Sequence, residues 1–279
     1  MMIVEQMLKN AQTPLLHIAD VVCSTVLEVN RIYNEDCLET LKRIPTGGID
    51  LMLTDIPYGT TQNEWDNLPN LNEMWKEWDR VLSEKGCWIF TCSQPATSEL
   101  VLSNKKYFKY SLVWDKVLST GHLNANIMPL RRHEDVLVFS RGKTIYNPQK
   151  IKRDVVRIDK GSQKQVGGDG KSCYGKFTYD DKYLEFREPT SIIQFSNADK
   201  TNLIHPTQKP IDIFRYLIKT YSNEDDLVFD GYMGSGTTAI ACIEENRRFL
   251  GSELNKEYYD KAIKRIGIKQ SQPSLFAVR

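Results

Sequence analysis

Asp55-Ile56-Pro57-Tyr58 follows the apolar run Ile49-Asp50-Leu51-Met52-Leu53-Thr54. A buried strand that stops there presents a carboxylate, a main-chain carbonyl and an aromatic face at one point. This trio suits an exocyclic amino group on a flat heterocyclic ring. Asp55 and the Ile56 carbonyl would each accept one amino hydrogen, and the Tyr58 ring would stack on the heterocycle. The nitrogen then becomes more tetrahedral, and its lone pair is freed toward an electrophile held in line. The proton leaves only after the new bond forms, so Asp55 needs no raised pKa. A lone acid at a strand end is ordinarily a cap or turn former. The flanking Pro57-Tyr58-Gly59 sets Asp55 apart from that.

Val228-Phe229-Asp230-Gly231-Tyr232-Met233-Gly234-Ser235-Gly236-Thr237-Thr238 forms a second constellation. Strand, glycine turn and helix make a nucleotide-binding plan, because Gly234 and Gly236 let the backbone come close to a ligand. Glu253 lies within about 20 residues of the loop at the next strand end, where an acid commonly grips a ribose diol. Gly234-Ser235-Gly236-Thr237-Thr238-Ala239 also fits a dinucleotide fingerprint, so the loop alone does not select the cofactor. Asp230 and Asp55 both sit at strand tips, where ligands of open α/β sheets bind, and are expected to face one cleft.

Alternating strand and helix patterns position these residues. Strands are expected at Arg31–Asn34, Ile49–Thr54, Cys87–Phe90, Lys109–Trp114, Asp135–Ser140, Leu227–Phe229 and Phe249–Ser252. Helices are expected at Cys37–Ile44, capped by Asp36, and at Leu71–Leu82, Ser98–Leu102, Ile211–Tyr221, Thr237–Asn246 and Lys256–Ile266. The alternation argues for an α/β fold with a doubly wound, mostly parallel sheet. Between Arg141 and Asn202 the pattern dissolves, except for one isolated strand within Thr190–Phe195. Loops this long are usually functional or disordered. The chain divides into an N-terminal leader (1–28), a catalytic part (29–140), an insert (141–202), a cofactor-binding part (203–268) and a loose tail (269–279).

The 279 residues carry a net charge of +1, with 41% hydrophobic and 26% charged residues, ordinary for a soluble α/β protein. The distribution is uneven: Arg141 to Arg187 holds twelve Lys/Arg against six Asp/Glu, a local excess able to neutralise phosphates. None of the six cysteines forms a C-x-x-C pair, which argues against a disulfide scaffold or zinc site and fits a reducing compartment. No His/Cys cluster has metal-ligand spacing, and no metal is expected. His133 and His205 read as structural hydrogen-bonding residues. No apolar stretch is long enough to span a bilayer and no secretory signal is evident, so a cytoplasmic location is expected, without a membrane partner.

The chain resembles the amino-methylating DNA methyltransferases, the permuted group in which the catalytic tetrapeptide precedes the cofactor loop. Seven pieces in order carry the resemblance, from about Asn30 to Ile266: Asn34–Leu38, Thr54–Gly59, Ser93-Gln94-Pro95, Arg132-His133-Glu134-Asp135, His205–Pro210, Met233–Thr238 and Gly251–Leu254. It implies a seven-stranded Rossmann-like sheet, S-adenosyl-L-methionine as cofactor and double-stranded DNA as partner. Asp55, Ile56, Pro57 and Tyr58 are similar to the family's catalytic loop. Asp230, Gly234 and Gly236, with Tyr232 and Thr237 beside them, resemble its methionine-side cofactor loop. Asp36 and the Cys37 backbone resemble its adenine contacts, Glu253 its ribose ligand, and Thr207 and Lys209 the segment closing over the methionine portion. Asp55 also borders the cofactor. Residues 141–202 occupy the place of the target-recognition region. A homodimer and a cognate restriction enzyme are candidate partners.

One departure stands out: the family's tetrapeptide usually has proline at its second position, and this chain has Ile56. The carbonyl is retained, but the fixed φ of proline is lost. The loop is therefore either less preorganised or held by packing of Ile56, and a weakly active or inactive DNA-binding homologue is one alternative. Asp at the first position with Tyr at the fourth resembles the adenine-N6 enzymes more than the cytosine-N4 enzymes. Methylation of a protein or free amine fits poorly with the basic insert and the permuted order. A nicotinamide oxidoreductase would leave Asp55–Tyr58 and His205–Pro210 unexplained.

Overall fold

Leu51, Met52 and Leu53 are wholly buried in β2 (Ile49–Asp55), because this strand is covered on both faces. The structure, a computed structural model, describes residues 27–59, 66–159, 182–198 and 208–271. The expectations for Thr207 and His205, for most of the leader and for residues 160–181 of the insert fall outside these. β1 (Arg31–Tyr33), β2, β3 (Leu82–Cys92), β4 (Phe108–Thr120), β5 (Arg131–Phe139), β8 (Ile192–Gln194), β9 (Leu227–Asp230) and β10 (Arg248–Ser252) form one sheet. Its order is β1-β10-β9-β2-β3-β5-β4-β8. β5 runs antiparallel to both neighbours, and every other pairing is parallel. A separate antiparallel pair, β6 (Ile151–Asp159) and β7 (Lys182–Arg187), stands apart from it.

Among the described residues the α-helices are α1 (Cys37–Arg43), α2 (Leu71–Val81), α3 (Ala96–Ser103), α4 (Ile211–Tyr221), α5 (Thr237–Glu244) and α6 (Lys256–Ser271). Alternation along the strands sends their side chains into two separate apolar layers. Leu51, Leu53, Ile89 and Val138 join α4, α5 and α6 residues such as Leu217, Ile240 and Ile266. Met52, Trp88, Phe90 and Phe139 join Leu41 of α1, Trp75 and Trp78 of α2 and Leu100 of α3. Trp75 meets the Trp78 ring edge-on at 5.1 Å and the Trp88 ring at 5.5 Å, which fixes α2 against β3.

The chain leaves β2 toward β3 on one side, and leaves β9 toward β10 on the other. The strand order therefore reverses between β2 and β9. Ligands of open α/β sheets bind at the carboxyl ends of such a reversal, and Asp55 and Asp230 end these two strands.

The expected fold class is borne out, with four differences in detail. Among the described residues the sheet has eight strands, not seven, because β8 pairs in parallel with β4 at the sheet edge. The strand expected in isolation within 190–195 is thus part of the main sheet. The insert also contains β6 and β7, whose sequences Ile151–Asp159 and Lys182–Arg187 mix charged and apolar residues without a clean alternation. α6 continues to Ser271, into the stretch read as tail, since Lys269 reaches Glu244 at 2.5 Å.

At Gly251 a Cβ would lie 2.3 Å from the Asp230 carbonyl oxygen and 2.4 Å from Met233 Cε. Gly251→Ala is therefore expected to cost about 2 kcal/mol and lower Tm by roughly 5 °C. Gly142→Ala, with nothing within 4 Å of the added carbon, should leave it unchanged. Equal midpoints for the two variants in thermal unfolding would contradict this account of how β9 and β10 pack.

Candidate active site

The Asp55 carboxylate is gripped from three sides. Its Oδ1 accepts from Tyr58 Oη and from Thr91 Oγ1, each at 2.5 Å, and its Oδ2 lies 2.8 Å from Lys209 Nζ. Thr91 is the register partner of Asp55 on β3, so the sheet itself supplies that donor. The loop after Asp55 is tied down by Asp66, whose Oδ1 accepts from the backbone N–H of Tyr58 at 2.7 Å and of Gly59 at 3.0 Å. Gly59 adopts φ +67°, which glycine tolerates without strain. Ile56 is buried in the layer that holds Met52, Trp75 and Phe90. Packing thus holds the position where the family usually has proline.

A chain of charge extends from Asp55. Lys209 Nζ lies 3.3 Å from Glu134 Oε2 and donates to Tyr58 Oη at 3.3 Å, and Glu134 Oε1 accepts from Lys116 Nζ at 3.1 Å. Burial works against the Lys209 charge, but the Asp55 and Glu134 carboxylates outweigh it and hold the ammonium above its usual range. Burial likewise opposes charge on Glu134, yet Lys209 and Lys116 leave its carboxyl below the ordinary value. Burial, and then the charge of Asp55, pushes the Tyr58 phenol well up, so Tyr58 stays a donor.

The glycine loop lies on the other side of the strand reversal. Gly234 and Gly236 take φ +52° and +78°. The Gly234 N–H donates to Glu253 Oε2 at 2.8 Å, and Asn255 N–H donates to Glu253 Oε1 at 2.8 Å. Burial raises the Glu253 carboxyl, partly offset by these two amides. Asn34 donates to the Glu253 carbonyl at 2.8 Å, which sets Asp36 and Cys37 beside it at the start of α1. Cys37 packs on the loop: a Cβ at Gly231 would sit 2.2 Å from its Sγ. The carboxyl ends of β1, β10, β9 and β2 thus carry Asp36, Glu253, the glycine loop and Asp55 in one row. Thr237 Oγ1 donates to the Lys209 carbonyl at 3.4 Å, so Lys209 touches the cofactor loop with its main chain and Asp55 with its side chain. Tyr232 is half-buried and packs against the α1–α2 layer.

Asp230 departs from expectation. Its carboxylate faces no cleft. It is buried, and accepts from Thr54 Oγ1 at 2.7 Å, from Thr238 Oγ1 and from Tyr232 N–H at 3.0 Å. It is a strut between β2, the glycine loop and α5. Asp36 doubles as the cap of α1, accepting from Leu38 N–H at 2.8 Å. Thr91, Asp66, Glu134 and Lys116 were missed by sequence reasoning. Glu134 belongs to a quoted motif piece, and Thr91 is found only by pairing β2 with β3; Lys116 and Asp66 leave no local signal. Among the described residues, no group of His, Cys, Asp and Glu has metal-site geometry, and no helix is long and apolar enough to cross a membrane.

The family model described as DNA methylase matches residues 49–264. The DNA adenine methyltransferase YhdJ of Escherichia coli (strain K12) is 27% identical over 265 residues, covering 86% of this chain and 84% of YhdJ. The solved complex of M1.HpyAVI with SAM superposes with TM-score 0.56 at 24% identity, over 84% of this chain and 98% of the other. The cytosine-N4-specific PvuII DNA methyltransferase superposes with TM-score 0.61 at 17% identity, over 86% and 87%. These two likenesses establish the fold.

Burial pushes the Asp230 carboxyl up to about 6 from its ordinary 3.8, with Thr238, Thr54 and the Tyr232 amide opposing. In this window the folded chain keeps a proton that the unfolded chain gives up, so folding takes one up. The stability this group contributes is present below about pH 4 and lost as pH rises through 6. Asp230→Asn lacks this dependence. The Tm of the variant minus that of the wild type should therefore climb between pH 4 and pH 7 in a thermal-shift series. A flat difference would show that the carboxyl is not buried as described.

Proposed function

This chain belongs to the DNA methylase family, and we propose that it transfers a methyl group from S-adenosylmethionine to the N6 amino group of adenine in double-stranded DNA. The family fixes the coarser statement: a DNA methyltransferase of the N6/N4 kind that uses S-adenosylmethionine. The observation that carries the finer one is Asp55, held at the end of β2 with Tyr58 three residues on and linked by Lys209 to the glycine loop.

Among the described residues three donors reach the Asp55 carboxylate, two on Oδ1 and one on Oδ2. A carboxylate has about four lone-pair sites, so one remains on Oδ2 for an amino hydrogen. The Ile56 carbonyl takes the second hydrogen. S-adenosylmethionine, when bound, supplies an electrophilic methyl group. The Asp36, Glu253 and Gly234–Gly236 row would hold it. Its fit rests on the left-handed glycines and on a carboxylate at the β10 end whose two oxygens hold the loop and the following turn. Receiving that methyl would leave the amino nitrogen positive, and Asp55 and the Ile56 carbonyl would hold its hydrogens until one departs to solvent. The Tyr58 ring offers a stacking face, with its hydroxyl anchored on Asp55. A paired base cannot reach this point, so the target nucleotide is turned out of the duplex. The basic excess between Arg141 and Arg187 supports DNA as partner.

The cytosine-N4 reading is kept alive by the PvuII likeness, and Asp and Tyr at the ends of the tetrapeptide favour adenine. Labelled methyl transfer to DNA, followed by nucleoside analysis, should yield N6-methyladenine. N4-methylcytosine alone would replace the proposal with the second reading. Asp55→Ala should lower turnover at least about 100-fold while cofactor and DNA binding persist; undiminished turnover would reject the role given to Asp55.

A further inference from the structure

We propose that Glu134 is a positioning residue for methyl transfer, pinning the Lys209 ammonium against Asp55 so that the carboxylate keeps one orientation and one open acceptor site. The inference rests on Asp55 being the amino-group acceptor, and deepens that reading.

Four side chains from four places in the sequence make the chain of charge: Lys116 on β4, Glu134 on β5, Lys209 before α4, and Asp55 ending β2. Their side chains are 6%, 15%, 10% and 21% exposed. Two positive and two negative charges alternate, so the cluster is neutral as a whole. Glu134 is its least comfortable member. Its Oε1 is held by Lys116 at 3.1 Å, while its buried Oε2 faces Lys209 at 3.3 Å and, among the described residues, has no other partner. A buried carboxylate is costly unless it is paired, and here both of its partners are lysines. Its effect is to set the direction of Lys209.

Lys209 has three acceptors within reach: Asp55 Oδ2 at 2.8 Å, Tyr58 Oη at 3.3 Å and Glu134. With Glu134 behind it, the ammonium is drawn away from the middle of the Asp55 carboxylate and occupies a single site on Oδ2. Without Glu134, Asp55 is its sole counter-ion, and the ammonium can close over both carboxylate oxygens. The acceptor site meant for the substrate would then be covered by a cation, beside a nitrogen that turns positive during transfer.

The carboxylates of Asp55 and Glu134 hold the charge of Lys209 against burial; Lys116 on β4 bears on Glu134, and Tyr58, which has Cys92 at the end of β3 nearby, accepts from Lys209. Replacing Glu134 with glutamine keeps the shape and removes one of the two charges that raise the Lys209 pKa.

The test compares wild type, Glu134→Gln, Glu134→Asp and the double variant Lys116→Met/Glu134→Gln, all in the full chain. The double variant removes the stranded Lys116 charge and keeps the experiment open if the single glutamine variant folds poorly. Expected for Glu134→Gln are a kcat about 10-fold lower, with KM for DNA and S-adenosylmethionine affinity within about threefold. Glu134→Asp should recover part of kcat. The double variant should regain Tm but not kcat. A wild-type kcat in Glu134→Gln, or full recovery of kcat together with Tm in the double variant, would overturn the proposal and leave Glu134 a structural counter-ion. The NMR chemical shift of the Lys209 side-chain nitrogen at neutral pH needs no turnover and should move in Glu134→Gln, because the ammonium loses a neighbour at 3.3 Å; an unmoved shift would break the link. This measurement therefore decides the Glu134–Lys209 link even if a wild type without methyl transfer sinks the role given to Asp55.

Discussion

A carboxylate in the middle of a sheet can serve as an acceptor only if its surroundings satisfy most of it and leave one lone pair open. That condition governs how this protein is built. Asp55 could not be held this way on a surface loop, where water would fill every acceptor site and the side chain would turn freely. It stands at the end of a strand buried on both faces, with Thr91 presented by the neighbouring strand in register. Tyr58 returns from its own loop, and Lys209 arrives 154 residues later in the chain to complete the grip. Each donor comes from a different element, so the geometry exists only when the sheet, the loop and the segment before α4 are all in place.

The glycine loop obeys a complementary constraint. Its backbone must pass close to Cys37 and to the strand beside it, which excludes side chains at Gly231 and Gly251. It must also be held without a ligand, and Glu253 and Asp230 divide that task. Glu253 accepts the Gly234 amide from the neighbouring strand end. Asp230 is drawn inward by two threonine hydroxyls and ties the loop to β2, one residue from Asp55. Two acids at adjacent strand tips thus take opposite roles. The one with lysine nearby faces the site, and the one with only hydroxyls and an amide is an internal strut.

This division was not legible in the sequence. Strand alternation and glycine spacing are local properties, so the parallel sheet, the loop and the Asp55 tetrapeptide could be read from short stretches. The surroundings of a carboxylate are not local. Thr91, Glu134 and Lys116 face the site because of inter-strand register, and β5 enters the sheet antiparallel, which no single segment encodes. β8 was read as a lone strand for the same reason: three residues carry no record of the edge they join. α6 outran its apolar pattern because an ion pair, not a hydrophobic contact, holds its last turn.

Ile56 shows how a departure from a motif is absorbed. Proline at this position would restrict the loop through its own φ, at no expense to the rest of the molecule. Isoleucine leaves φ free, and the restriction must come from outside. Here it comes from both ends of the loop: the Ile56 side chain is enclosed in the aromatic layer of α2 and β3, and the amides of Tyr58 and Gly59 are fixed by Asp66. The carbonyl that we propose takes the second amino hydrogen lies between these two anchors. The burden of preorganisation has moved from one ring to a packed side chain and a distant carboxylate, so in this chain the aromatic layer under the sheet is part of what supports the Asp55–Tyr58 loop.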